Sequence, residues 1–139
     1  MTPDDVAVWR EWLAWHWHPN LNLSYDLPCS CPWLRYETIA PDSPEMAELL
    51  KSPRADVVIS DGSLVAAVEI KPELTPQSIG QALTYSLLLA HATKIADAIL
   101  PVVICRRANP ELVSVANQVG VAVWLSQQPA QPSPNADRP

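Results

Sequence analysis

Two short apolar runs, Ala55-Asp56-Val57-Val58-Ile59-Ser60 and Leu64-Val65-Ala66-Ala67-Val68-Glu69-Ile70-Lys71, flank Asp61-Gly62. An Asp-Gly pair between β-rich runs predicts a hairpin with a type I′ turn, whose two central residues both need positive φ. Side chains alternate along a strand, so Glu69 and Lys71 leave one face while Leu64, Val68 and Ile70 leave the other. A carboxylate and an ammonium two residues apart on an otherwise apolar strand are expensive to leave unpaired. A divalent metal together with a phosphate is the partner that best fits both. A helix is expected to follow over 76–91, capped by Thr75 with Pro76 in its first turn, and it contains Gln81-Ala82-Leu83-Thr84-Tyr85.

The rest of the chain supplies enough elements for one α/β domain over residues 1–125. Thr2, Pro3, Asp4 and Asp5 open a helix over 3–18. It carries one apolar stripe of Val6, Trp9, Leu13 and Trp17, and a second side of Val8, Trp12 and Trp15. A helix apolar nearly all round needs cover on both faces, which predicts a homodimer through this Trp-rich segment (residues 1–20). Residues 21–32 read as irregular. Trp33 to Ala40 is expected to form the first strand, although Trp33 to Glu37 reads equally well as helix. Ser43 caps a short helix running to about Lys51. Ala98 to Cys105 reads as a buried strand, Pro110 to Val119 as a helix and Val121 to Leu125 as a last strand. The polar, Pro-rich tail 126–139 is expected to be disordered. A mixed central sheet flanked by helices follows.

Composition narrows the function. The chain has 139 residues and a formal net charge of −6, which argues against a protein that coats nucleic acid through a broad basic surface. Lys51, Arg54, Lys71, Lys94, Arg106 and Arg107 are the cations available for a local patch. No apolar run approaches the roughly twenty residues of a membrane span. Cys29, Cys31 and Cys105 form no disulfide framework and no usual zinc spacing, so they are expected to be buried free thiols in a reducing cytoplasm. His16 and His18 fall at a helix end, where capping of the last carbonyls is the simplest role.

The residues Asp56, Glu69-Ile70-Lys71 and Gln81-x-x-x-Tyr85 together resemble the PD-(D/E)XK nuclease superfamily, in its RecB-like branch. The resemblance spans roughly residues 35–125, and Ala55 stands where the family often has proline. It implies a restriction-endonuclease-like αβββαβ core with one αβ unit added. It also implies a Mg2+- or Mn2+-dependent nuclease acting on DNA, as an endonuclease or an exonuclease, with RNA as the other substrate class. Asp56, Glu69 and the main-chain carbonyl of Ile70 would hold the metal, Lys71 would position the attacking water, and Gln81 and Tyr85 would orient the phosphate or that water. An extra acidic ligand is expected from Glu11, Glu37, Glu45 or Glu48, and Lys51, Arg54, Arg106 and Arg107 are candidate nucleic-acid contacts. The alternative is a non-catalytic scaffold or subunit of a nucleic-acid-processing complex on the same fold.

Overall fold

The expected hairpin forms, but its turn differs. In the computed structural model, which describes residues 1–94 and 99–127, Arg54–Ser60 and Val65–Glu73 are antiparallel neighbours whose ladder ends at Ser60↔Val65. Gly62 alone takes a positive φ, +92°, so the connection is not type I′. Asp61 folds the loop through its side chain: Oδ1 accepts the Ser63 and Leu64 N–H groups and the Ser63 hydroxyl. Leu64 is therefore an exposed loop residue and does not face the core with Val68 and Ile70.

The elements run α1 (Pro3–His16), β1 (Asn22–Pro28), a 3-10 turn (Tyr36–Thr38), α2 (Pro44–Lys51), β2 (Arg54–Ser60), β3 (Val65–Glu73), α3 (Pro76–Thr93), β4 (Leu100–Arg107), α4 (Pro110–Gln118) and β5 (Ala122–Leu125). The five strands form one mixed sheet in sequence order. The first three are antiparallel neighbours, and β3, β4 and β5 are parallel. A parallel neighbour needs a crossover, and α3 and α4 supply the two crossovers. Thr2, Ser43, Thr75 and Asn109 cap the four α-helices, each followed by Pro in the first turn. Among the described residues, no helix is long and apolar enough to cross a membrane.

The first strand is β1, not 33–40. Leu23 and Tyr25 pair opposite Ile59 and Val57, while 33–40 holds only the 3-10 turn and an exposed Trp33. As an edge strand, β1 carries Ser24 and Asp26 between its apolar residues, and this polar punctuation resembles a loop. Asp26 has φ +53° and interrupts the ladder opposite Asp56. The inward side changes with it: Leu23 packs with the α1 core and Leu27 with the opposite one.

One face of the sheet is covered by α1. Its buried stripe is Asp5, Val8, Trp9 and Trp12, lying between the two stripes expected from the sequence. Of these, Val8, Trp9 and Trp12 pack on Val57, Ile59, Val68, Ile70, Val102 and Ile104. Trp12 stacks nearly parallel with Trp9, His16 and Trp124 at centroid distances of 5.4, 4.5 and 5.7 Å. Trp9 Nε1 donates to the Tyr25 hydroxyl at 3.1 Å. Trp17 is extended, which ends the helix at His16, and Trp15 and Trp17 remain 55% and 62% exposed. The opposite face packs under α3 and α4, through Ile79, Ala82, Leu89 and Ala116 on Ala67, Val103 and Cys105.

The C-terminal boundary also moves. Ser126 is fully buried: its N–H donates to the Cys105 carbonyl and its hydroxyl to Glu11. The expected tail beyond Gln127, and Ala98 at the start of the expected buried strand, lie outside the described residues.

Candidate active site

The site forms where β2 and β3 part. Their ladder pairs Val57 with Val68. One step further, the Asp56 side chain takes over, its Oδ2 accepting the Ile70 N–H at 2.9 Å. β3 continues alone beside β4, with Glu69 opposite Val103 and Lys71 opposite Cys105. Asp56 therefore satisfies the backbone at the fork and brings its carboxylate beside Glu69. The Ile70 N–H is thereby committed to Asp56.

Glu69 is 4% exposed, and its Oε1 has no hydrogen-bond partner. Burial, and then the negative charge of Asp56, push its carboxyl up to about 8. Burial raises Asp56 as well, opposed by the bond from Ile70. The two carboxylates thus share a poorly solvated site in which full ionisation of both is unfavourable without a cation.

α3 returns along the sheet from its cap at Thr75, and Gln81 and Tyr85, four residues apart, lie on neighbouring turns of one side. Gln81 Oε1 is also buried without a partner. The Tyr85 hydroxyl is shifted up by burial and then by the charge of Glu69, with Asp56 acting in the same direction. Lys71 carries its ammonium to 3.7 Å from Asp5 Oδ2, with the lysine side chain 37% exposed. Its positive charge acts on both Asp56 and Glu69. The structure thus gathers Asp56, Glu69, Lys71 and Tyr85, with Gln81 beside Tyr85.

Asp5 is the acid that the sequence did not single out. It is 2% exposed, and the signal for it was the stripe Asp5, Val8, Trp9, Trp12 at helical spacing, which places it on the inward face. The four glutamates considered for this role lie elsewhere. Glu11 accepts from Arg106 and Ser126, and Glu37, Glu45 and Glu48 are exposed. His16 Nδ1 is 2.9 Å from the Trp12 carbonyl, and His18 Nδ1 accepts from the Asn20 N–H.

The candidate nucleic-acid contacts are mostly engaged within the chain. Arg54 pairs with Asp26, Arg106 with Glu11 and Arg107 with Glu73, while Lys51 is exposed at the end of α2. Cys29, Cys31 and Cys105 are buried free thiols, and burial pushes Cys29 and Cys105 up to about 11. Neither of those two is a thiolate nucleophile at neutral pH. Among the described residues, no group of three or more His, Cys, Asp or Glu side chains is arranged to hold a metal ion. A cation at the fork would have Asp56 and Glu69 as its carboxylates, with main-chain oxygen and water completing the shell, as suits magnesium.

No protein-family model, curated protein or solved structure matches this chain.

Proposed function

We propose that the chain is a metal-dependent nuclease that hydrolyses phosphodiester bonds in DNA, on a restriction-endonuclease-like core. The observation that carries this reading is the buried, donorless Glu69 Oε1 at the fork that also holds Asp56 and Lys71, with a second donorless oxygen, Gln81 Oε1, on α3. A buried acceptor without a donor is costly, and a cation is the group that best relieves it beside two carboxylates. The element order α1, β1, β2, β3, α3, β4, with α2 inserted and α4–β5 added, supports the same core.

Asp56 and Glu69 fit Mg2+ or Mn2+, which when bound neutralises charge developing on a phosphate and acidifies water. Lys71 would orient the attacking water or a phosphate oxygen through its ammonium. Tyr85 and Gln81 would orient the phosphate from the α3 side. The buried free thiols fit a reducing cytoplasm, and the exposed Trp15 of α1 and Trp17 just beyond it are the rings of the Trp-rich segment left to meet a second copy.

A second reading, a non-catalytic scaffold in a nucleic-acid-processing complex, draws support from the net charge of −6 and the ion pairs of Arg54, Arg106 and Arg107. Little basic surface remains for gripping a duplex. A cleavage screen with Mg2+ and Mn2+ over single strands, duplexes, flaps, junctions and RNA decides between them. Cleavage lost in Glu69→Ala and Lys71→Ala, with both variants folded by circular dichroism, is the expected result. No cleavage of any substrate overturns the enzyme reading.

A further inference from the structure

Lys71 leaves β3 two residues after Glu69, so its ammonium has more than one acidic partner within reach. Its charge acts on Asp56 and on Glu69, and Glu69 Oε1 has no donor at all. The ammonium nevertheless lies 3.7 Å from Asp5 Oδ2, and among the described residues it forms no ion pair with either of the other two acids.

The reason lies in α1. Asp5 is buried by the same stripe that seats Trp9 and Trp12. It is fixed in place by a capping box, in which the Thr2 N–H donates to Asp5 Oδ2 at 2.9 Å and the Asp5 N–H donates to Thr2 Oγ1 at 3.2 Å. A buried carboxylate needs a countercharge, and Lys71 is the cation that reaches it. Asp4, next to it in the same first turn, is exposed and serves the helix dipole equally well. Dipole stabilisation therefore suffices for Asp4, whereas Asp5 closes the capping box and in addition pairs with Lys71.

We propose that Asp5 is a positioning residue that holds the Lys71 ammonium away from Asp56 and Glu69, keeping those two carboxylates open to a divalent cation. Without Asp5, Lys71 closes on the acidic pair as an internal ion pair that competes with the metal. The inference rests on the cation reading of Asp56 and Glu69, and adds to it a residue on another element that keeps the site open.

The test uses the full chain as wild type, Asp5→Asn, Lys71→Met and the double variant, with manganese binding followed by electron paramagnetic resonance. Asparagine keeps an oxygen for the Thr2 N–H, so the cap survives while the charge is removed. Methionine keeps the apolar stem of Lys71. Asp5→Asn is expected to weaken manganese binding about tenfold or more, and adding Lys71→Met is expected to restore it. Wild-type affinity in Asp5→Asn overturns the proposal, and so does a double variant as weak as Asp5→Asn. Urea unfolding of the same four proteins without metal measures the pair directly. A coupling of about three- to tenfold in the unfolding equilibrium constant is expected. Normal manganese binding with no coupling overturns the proposal alone. A wild-type chain that binds no manganese overturns the cation reading, and the role of Asp5 with it.

Discussion

Glu69→Gln isolates the electrostatic load that the fork places on the fold. The carboxyl moves from the ordinary glutamate value of 4.5 to about 8 in the folded chain, chiefly through burial and then through Asp56. A folded value raised above the unfolded one means that the protonated acid is the form the fold tolerates. That contribution is complete below pH 4.5 and is lost as the pH climbs through about 8. At about 1.4 kcal/mol per pH unit, the interval corresponds to roughly 5 kcal/mol in total, and to roughly 3 kcal/mol by pH 7. Domains of this size are stable by only about 5–15 kcal/mol, so the effect is measurable. Urea denaturation at pH 4.5, 7 and 9, without divalent ions, gives the comparison. Wild type and Glu69→Gln should differ little at the lowest pH, and the variant should become progressively more stable above it. Adding magnesium at pH 9 should recover stability in the wild type and much less in the variant, because only the intact pair binds the ion strongly. Parallel stability curves for the two proteins across this range would refute the argument, since Glu69 would then be solvated as well in the folded chain as in the unfolded one.

Two further predictions concern the scaffold. Trp12→Ala removes a buried ring stacked on Trp9, His16 and Trp124, and should lower unfolding free energy by about 3–5 kcal/mol in urea. Gly62→Ala meets no neighbouring atom, so its whole effect comes from φ +92°; a loss of about 1 kcal/mol is expected in the same assay, with no change in manganese binding.

Much of this architecture is written in local chemistry. Thr2-Pro3, Ser43-Pro44 and Thr75-Pro76 mark three helix starts that the structure keeps, because a capping hydroxyl followed by proline in the first turn answers a purely local demand. The Asp61-Gly62 loop marks the hairpin for the same reason, although its conformation depends on hydrogen bonds accepted by the Asp61 side chain that no dipeptide rule supplies. What the sequence concealed depends on tertiary context. β1 owes its strand character to pairing with β2 and carries the polar residues of an exposed edge. The inward direction of α1 was set by where β3 and β4 lie, and that choice buries Asp5 beside Lys71. Strand alternation ties Glu69 to Lys71 and helical spacing ties Gln81 to Tyr85, whereas grouping these four with Asp56 rested on the family resemblance. The donorless oxygens at Glu69 and Gln81 were not legible, since hydrogen-bond partners are set by the three-dimensional structure.

The aromatic stack imposes an order on folding. α1 precedes in the chain the surface that receives it, which is built from β2, β3 and β4, and Trp124 on β5 supplies its last ring. Until those strands exist, Trp9 and Trp12 have only each other, His16 and Tyr25 against them. The N-terminal helix therefore cannot complete its packing until the C-terminal strands have been made, so its docking is a late event in folding.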